Sequence, residues 1–353
     1  MVEAAEALDA GQTRLAHQLY SRALQEADDA RSRADALEGL GRVAYESGRP
    51  REAVALLDEA AALADGGIFA RPVLAQILGL CLAQLGELER ATLVLDECRR
   101  RAQREGDVVE EIGFTCLVSY ALTDRGKFAE AEEVLVQAQA AGEQIDDPVV
   151  RARLLCAEAR LRGEQGLTAI AAERALAALE LLRTTDEHRL LALTHELLAS
   201  LYIDLGRPDE ALSLLRDAWP MLISHATLLQ VVHFRIEEAR ALAARGELEG
   251  AAAVAMRVAA QLDGTMPADA GRAYALLGDI FAELGEPLRA RTLYETAITL
   301  LQRQGPNRYL AAAYKRLGEL FEAEYRTAED AVVVLQRALA IQELIDSSIG
   351  AAA

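Results

Sequence analysis

Asparagine is almost missing from this chain: among 353 residues it occurs once, as Asn307. Aromatic residues make up 5% and tryptophan occurs a single time, so the 52% hydrophobic content is mostly alanine, leucine and valine. That mixture favours helices and disfavours sheets. Basic residues are outnumbered, 37 against 56 acids, leaving a net charge of −19 and a sequence pI near 4.8. Such a field repels phosphate backbones and argues against sequence-independent nucleic-acid binding. Four cysteines without a CxxC pair speak against a disulfide framework or a structural zinc site. The longest uncharged run, Ala218 to Phe234, spans 17 residues and includes Pro220, His225 and His233. It is too short and too polar for a membrane helix. The first residues, MVEAAEALDAG, have neither a basic n-region nor an apolar h-region and do not read as a signal peptide. The expectation is a soluble, cytoplasmic chain with no membrane partner.

What is abundant is repetition. Turn glycines recur at Gly11, Gly48, Gly86, Gly126, Gly166, Gly206, Gly246 and Gly285, with gaps of 37, 38, 40, 40, 40, 40 and 39 residues. Five residues after each stands an alanine: Ala16, Ala53, Ala91, Ala131, Ala171, Ala211, Ala251 and Ala290. Nine after it comes Tyr20, Leu57, Leu95, Leu135, Ala175, Leu215, Ala255 or Tyr294, and twelve after it a small residue in nearly every unit. A ninth unit, around Arg326, Ala331, Leu335 and Ala338, fits with a turn one residue longer and no glycine. Self-similarity at this period signals a repeat solenoid. The small residues lie on one helical face and let a neighbouring helix approach closely. Leu40-Gly41, Leu78-Gly79, Leu277-Gly278 and Leu317-Gly318 place a second close crossing in the preceding helix, at about 1 kcal/mol of helix propensity. Each unit therefore reads as two antiparallel helices, A and B, joined by a tight turn. Pro50, Pro208 and Pro287 suit the first position of helix B.

Leu277, Gly278, Phe281, Ala290, Tyr294 and Ala297 carry the pattern most completely, and with them the chain resembles the tetratricopeptide repeat family. The family period is usually about 34 residues. A period near 40 is similar to the long-helix repeats of kinesin light chains and of sensor domains in bacterial transcription regulators. The resemblance implies an all-α, right-handed solenoid of about nine helix pairs, continuous over residues 1–353. The first repeat is truncated, the last spans 307–346, and residues 347–353 are expected to be disordered. Weak joints fall at Gly66-Gly67, Trp219-Pro220 and Asp263 to Pro267, and Pro220 is expected to end its helix, leaving an irregularity up to Thr227.

Chemistry-bearing residues are sparse. Cys116 and Cys156 occupy equivalent places in adjacent repeats, and all four cysteines read as small core residues. His188, His195, His225 and His233 cluster in sequence, but the segment HELLAS lacks the second histidine of a zinc-protease motif. They read as solvated or core residues, with a pH-sensitive or metal-linked patch as the alternative. No phosphate-binding loop, nucleophile elbow or dinucleotide fingerprint is present, so no metal, no cofactor and no catalytic residue is expected.

The informative surface is the concave face, which the resemblance places on helix A at offsets 13, 10, 6, 3 and 2 before each turn glycine. Those offsets select Arg42, Tyr45, Gln76, Tyr120, Arg153, Arg160, Glu196, His233, Arg240, Arg272 and Asp279, with Lys315 in the last unit. The arginines suit forked recognition of a carboxylate or phosphate. They imply a protein or peptide ligand, with an acidic peptide or a free C-terminus as the fitting class. The alternative is that they pair with neighbours such as Glu158 and Glu238. The lone asparagine excludes the asparagine-based clamp by which this family holds peptide main chains and chaperone tails.

Two functions follow from the resemblance. One is a non-enzymatic scaffold that binds a partner in its groove. The other is the ligand-sensing or oligomerisation part of a bacterial helix-turn-helix regulator whose DNA-binding domain lies outside these residues. Regulators of bacterial peptide signalling, which carry a helical bundle ahead of their repeats, fit less well because these residues leave no room for it. Homo-oligomerisation stays open.

Overall fold

The structure is a computed structural model that describes residues 1–64, 67, 71–142, 144–225, 228–262, 266–305, 307–325 and 328–350. Eighteen helices follow one another, and successive ones pair. The first pairs are α1 (Val2–Asp9) with α2 (Thr13–Glu26), α3 (Ala30–Glu46) with α4 (Pro50–Leu63), and α5 (Pro72–Gln84) with α6 (Leu88–Glu105). Then come α7 (Val108–Asp124) with α8 (Phe128–Gly142), α9 (Pro148–Glu164) with α10 (Thr168–Leu182), and α11 (His188–Asp204) with α12 (Pro208–His225). The last are α13 (Leu228–Ala244) with α14 (Leu248–Leu262), α15 (Pro267–Glu283) with α16 (Pro287–Leu301), and α17 (Arg308–Leu320) with α18 (Ala328–Gly350). No strand occurs among the described residues. The chain is an all-α repeat solenoid.

Backbone chemistry sets each hairpin. All eight turn glycines take positive φ, between 69° and 86°. Each following N–H reaches back five residues, as in Arg49 to Ala44 (2.9 Å), Arg207 to Tyr202 (2.8 Å) and Glu286 to Phe281 (2.9 Å). This is the glycine-terminated Schellman closure, which satisfies the carbonyls at the end of helix A. Pro50, Pro72, Pro148, Pro208, Pro267 and Pro287 each open a helix, where a missing N–H costs nothing. Asn307 caps α17 through Leu310 N–H at 2.9 Å, so the lone asparagine has a structural duty.

The helix-A glycines permit the hairpin crossing. A methyl at Gly41 would come within 2.6 Å of Leu57, at Gly79 within 2.6 Å of Leu95, and at Gly278 within 2.5 Å of the Tyr294 ring. Each contact is with the residue nine after the turn glycine. Gly278→Ala is therefore expected to lower stability by about 1–2 kcal/mol, because overpacking outweighs the propensity gain of up to about 1 kcal/mol. Gly113→Ala, in a helix with open space around its α-carbon, is expected to raise stability by about 0.5–1 kcal/mol. Urea unfolding of the two variants side by side checks the sign reversal.

Three expectations need correction. Pro220 does not end its helix: α12 continues to His225. Ala218 and Leu222, on either side of it, are fully packed (0% and 2% exposed), and burial of that face outweighs one lost hydrogen bond. The tail set aside from residue 347 is helical through Gly350, with 351–353 outside the described residues. The extra residue of the ninth unit does not simply lengthen its turn. Helix α17 runs on through a π-helical turn, Phe321–Tyr325, which absorbs an insertion. Arg326, Gly66, Asp263 to Thr265 and the stretch Ala226-Thr227 lie outside the described residues.

The solenoid winds tightly enough for distant repeats to touch. Gly48 is buried, and a methyl there would meet Met266 at 2.7 Å and Leu228 at 3.0 Å. Arg189 stands against the Tyr45 hydroxyl, and Arg308 pairs with Glu164. Repeats four to six units apart thus meet, so the helix-A faces enclose an inner lumen.

Candidate functional site

Helix A of repeats four to nine supplies the lumen's polar groups. Tyr120 and Asp124 come from α7, Arg153 and Arg160 from α9, and Glu196, Ser200 and Asp204 from α11. His233, Glu237 and Arg240 come from α13, Asp269, Arg272 and Asp279 from α15, and Tyr309 from α17. Most of the selected arginines are already engaged by acids of the same chain. Arg160 donates to Asp124 at 2.7 Å and lies over the Tyr120 ring at 5.3 Å. Arg240 donates to Asp204 at 2.7 Å, Glu237 at 2.5 Å and Ser200 at 3.0 Å. Arg272 is 3.5 Å from Asp269 and 3.9 Å from Glu237, with its guanidinium 4.5 Å above Tyr309. His233 meets Asp269 at 2.8 Å.

The partners differ from those expected of the sequence. Glu158 turns to Arg174 and Gln139, and Glu238 to Arg235. The lumen arginines instead take an acid 36 residues earlier, as in Asp124–Arg160 and Asp204–Arg240. Thirty-six is one repeat less one helical turn, so neighbouring A helices are staggered by a turn. That spacing was present in the sequence and is the signal by which Asp124, Asp204 and Asp269 can be found. Tyr309, Arg308 and Glu164 had no such signal, because they meet across four repeats.

Other selected residues are scattered. Arg42 is 3.5 Å from Asp9, and Tyr45 lies against Arg189 four repeats away. Gln76 is exposed. Asp279 accepts from the Tyr294 hydroxyl at 2.6 Å and sits 3.5 Å from Arg316. Lys315 is exposed, 3.8 Å from Glu319. Among the described residues Arg153 has neither an ion pair nor a hydrogen bond.

Burial and charge act together on the lumen's acids. Burial works against ionisation of Asp269, yet His233 and Arg272 hold it below the usual carboxylate range. Glu196 goes the other way: burial pushes its carboxyl up to about 7, and His233, Arg272 and Arg160 only partly offset Glu237 and desolvation. Its Oε2 is sealed from solvent without a hydrogen-bond partner, as is Arg160 Nε. Tyr309, held against burial by Arg272, Arg308 and Arg160, ionises below its ordinary value.

The cysteines and the remaining histidines stand apart. All four thiols are free and buried, and desolvation pushes Cys81, Cys98 and Cys116 up to about 12. Such thiols are unreactive. His195 is buried, bonded to the Leu191 carbonyl at 2.8 Å, and burial lowers its pKa. His188 is exposed, and the side chain of His225 lies outside the described residues. Among the described residues no group of three or more histidine, cysteine or acidic side chains is arranged to hold a metal. No described helix is long and apolar enough to cross a membrane.

Comparison with known proteins agrees with this architecture. Family models described as tetratricopeptide repeats match residues 2–68 and 271–300. No curated protein sequence matches. Among solved structures, a Rap protein complexed with competence and sporulation factor is similar with a TM-score of 0.63 at 14% identity, over 78% of each chain. NprR in complex with its cognate peptide NprX scores 0.60 at 12% identity, over 77% of this chain and 80% of that one. A signal-transduction ATPase with a tetratricopeptide repeat sensor, from Pyrococcus horikoshii, scores 0.54 at 12% identity. It covers 95% of this chain, which spans about half (54%) of its length. At these identities the likeness is one of fold.

Proposed function

We propose, for a chain that carries tetratricopeptide repeats at both ends and keeps their fold in between, that its lumen binds a peptide without catalysing a reaction. The observation that carries this reading is the convergence of six successive A helices on one polar, tyrosine-bearing lumen. A face shared by several repeats suits an extended ligand. The peptide in the NprR complex supports the same reading.

The expectation of an acidic ligand narrows to one residue. Arg160, Arg240 and Arg272 already hold acids of their own chain, so an incoming carboxylate would compete with Asp124, Asp204, Glu237 and Asp269. Among the described residues Arg153 is the lumen cation without such a partner, and we assign the ligand's acidic side chain or C-terminal carboxylate to it.

The test is to incubate the purified chain with a synthetic hexapeptide mixture, separate bound from free by gel filtration, and read the bound fraction by mass spectrometry. Peptides retained by the native chain, with Arg153→Glu losing those that bear an acidic group, are the expected result. Arg153→Glu is cleaner than reversing Arg160 or Arg240, which would set new carboxylates against Asp124 or Asp204. An empty bound fraction sinks the peptide reading. The second reading, a sensing module within a larger regulator, draws on the repeat sensor of the Pyrococcus horikoshii ATPase. It predicts that ligand changes the association state of the full-length protein, which light scattering measures.

A further inference from the structure

The lumen's polar atoms are not all accounted for. Among the described residues, four buried side-chain atoms lack any hydrogen-bond partner: Ser119 Oγ, Thr123 Oγ1, Arg160 Nε and Glu196 Oε2. All four lie on the A helices of three consecutive repeats, α7, α9 and α11. Unsatisfied buried polar atoms are rare in native proteins, and two of these, on Arg160 and Glu196, belong to the charged groups of the lumen. Glu196 differs from the other three. It is an acid at the level of His233, Glu237 and Arg272, where the other carboxylates are matched: Glu237 with Arg240 and Asp269 with His233 and Arg272. Asp124 and Asp204 are likewise taken by Arg160 and Arg240. Glu196 is the acid left over.

We infer that Glu196 is the anchor for a cationic group of the bound peptide, the ammonium or guanidinium of a basic side chain or a free amino terminus. This rests on the peptide reading above and adds the ligand's chemistry. A carboxylate with one oxygen sealed from water and left without a partner is costly. A cation hydrogen-bonded to it supplies the missing donor and the missing charge in one group. The nearby arginines do not forbid it, because Asp124, Asp269 and Glu237 already neutralise them. Binding also moves a proton. In the free chain desolvation keeps Glu196 protonated up to about pH 7, against the pull of His233, Arg272 and Arg160 and with Glu237 adding to the effect. A cation stabilises the ionised form and releases the proton.

The hexapeptide mixture tests this with paired members that differ only in lysine against norleucine, arginine against glutamine, and free against acetylated amino terminus. The expected result is at least tenfold enrichment of one cationic class in the bound fraction, lost in Glu196→Gln while that variant still retains peptides. Which pair is enriched identifies the source of the charge. Peptides retained equally by both forms with no cationic preference overturn the inference and leave the peptide reading intact. A second arm needs no peptide ligand: the Glu196 carboxyl carbon is followed by NMR against pH with and without millimolar L-argininamide. A titration midpoint lowered by argininamide supports the anchor. An unchanged midpoint overturns it, and Glu196→Gln, which removes the titrating carboxyl, assigns the signal.

Discussion

Glu196→Gln is expected to stabilise the chain by about 2–3 kcal/mol at pH 8 and to leave it unchanged below pH 4. The ordinary glutamate value of 4.5 holds in the unfolded chain, while burial raises the folded value to about 7. Below 4.5 both states carry a neutral carboxyl, and glutamine differs little from it. Between 4.5 and 7 the unfolded chain has released its proton and the folded chain still holds it. The folded state then binds more protons, so native stability falls as pH rises. Above 7 the loss is complete. At about 1.4 kcal/mol per pKa unit, reduced because the lumen admits some water, it amounts to about 2–3 kcal/mol. Glutamine abolishes it. Groups facing Glu196, namely His233, Glu237, Arg272 and Arg160, stay in both proteins. Urea unfolding at half-unit pH steps measures it. A constant offset between variant and native curves from pH 4 to 8 would show that Glu196 ionises normally and that the lumen is not desolvated there.

Ala171→Trp is expected to cost about 3 kcal/mol or to prevent cooperative unfolding of the middle repeats. Ala171 is completely buried, five residues after its turn glycine, in a core cluster with Ala175, Ala178 and Leu198. Its methyl lies 3.8 Å from where a methyl at Gly163 would sit, so the two helices nearly touch. An indole at this point must push them apart, and overpacking of this kind costs about 1–3 kcal/mol, occasionally more. Ala177→Trp, on the exposed face of the same helix, is expected to stay within about 0.5 kcal/mol of the native chain. Equal melting of the two tryptophan variants would show that the repeat register is misplaced. The pair matters for function because the same crossings hold the A helices in line around the lumen.

Much of this could be read from the chain before any tertiary information. The turn glycines declare themselves because only glycine takes positive φ without cost, and Gly41, Gly79 and Gly278 because a methyl would strike the residue nine after the turn. Such constraints are local or span one hairpin. Pro220 shows the limit of local reasoning, since its rule is sound and the packing of Ala218 and Leu222 overrides it. The helix-A arginines were legible as a set, but their pairing was not, because Arg160 and Arg240 are neutralised from the preceding repeat.

Sequence alone thus determined the helix pairs and their number, since both depend on contacts within about forty residues of chain. Only the tertiary structure decided which charges in the lumen remain free. Ion pairing depends on the one-turn stagger between neighbouring A helices, and burial depends on coils that meet four to six repeats apart, as at Gly48 with Met266 and Glu164 with Arg308. Charges interact over distances that the chain order does not encode, so Arg153 and Glu196 stand out only once the solenoid has wound.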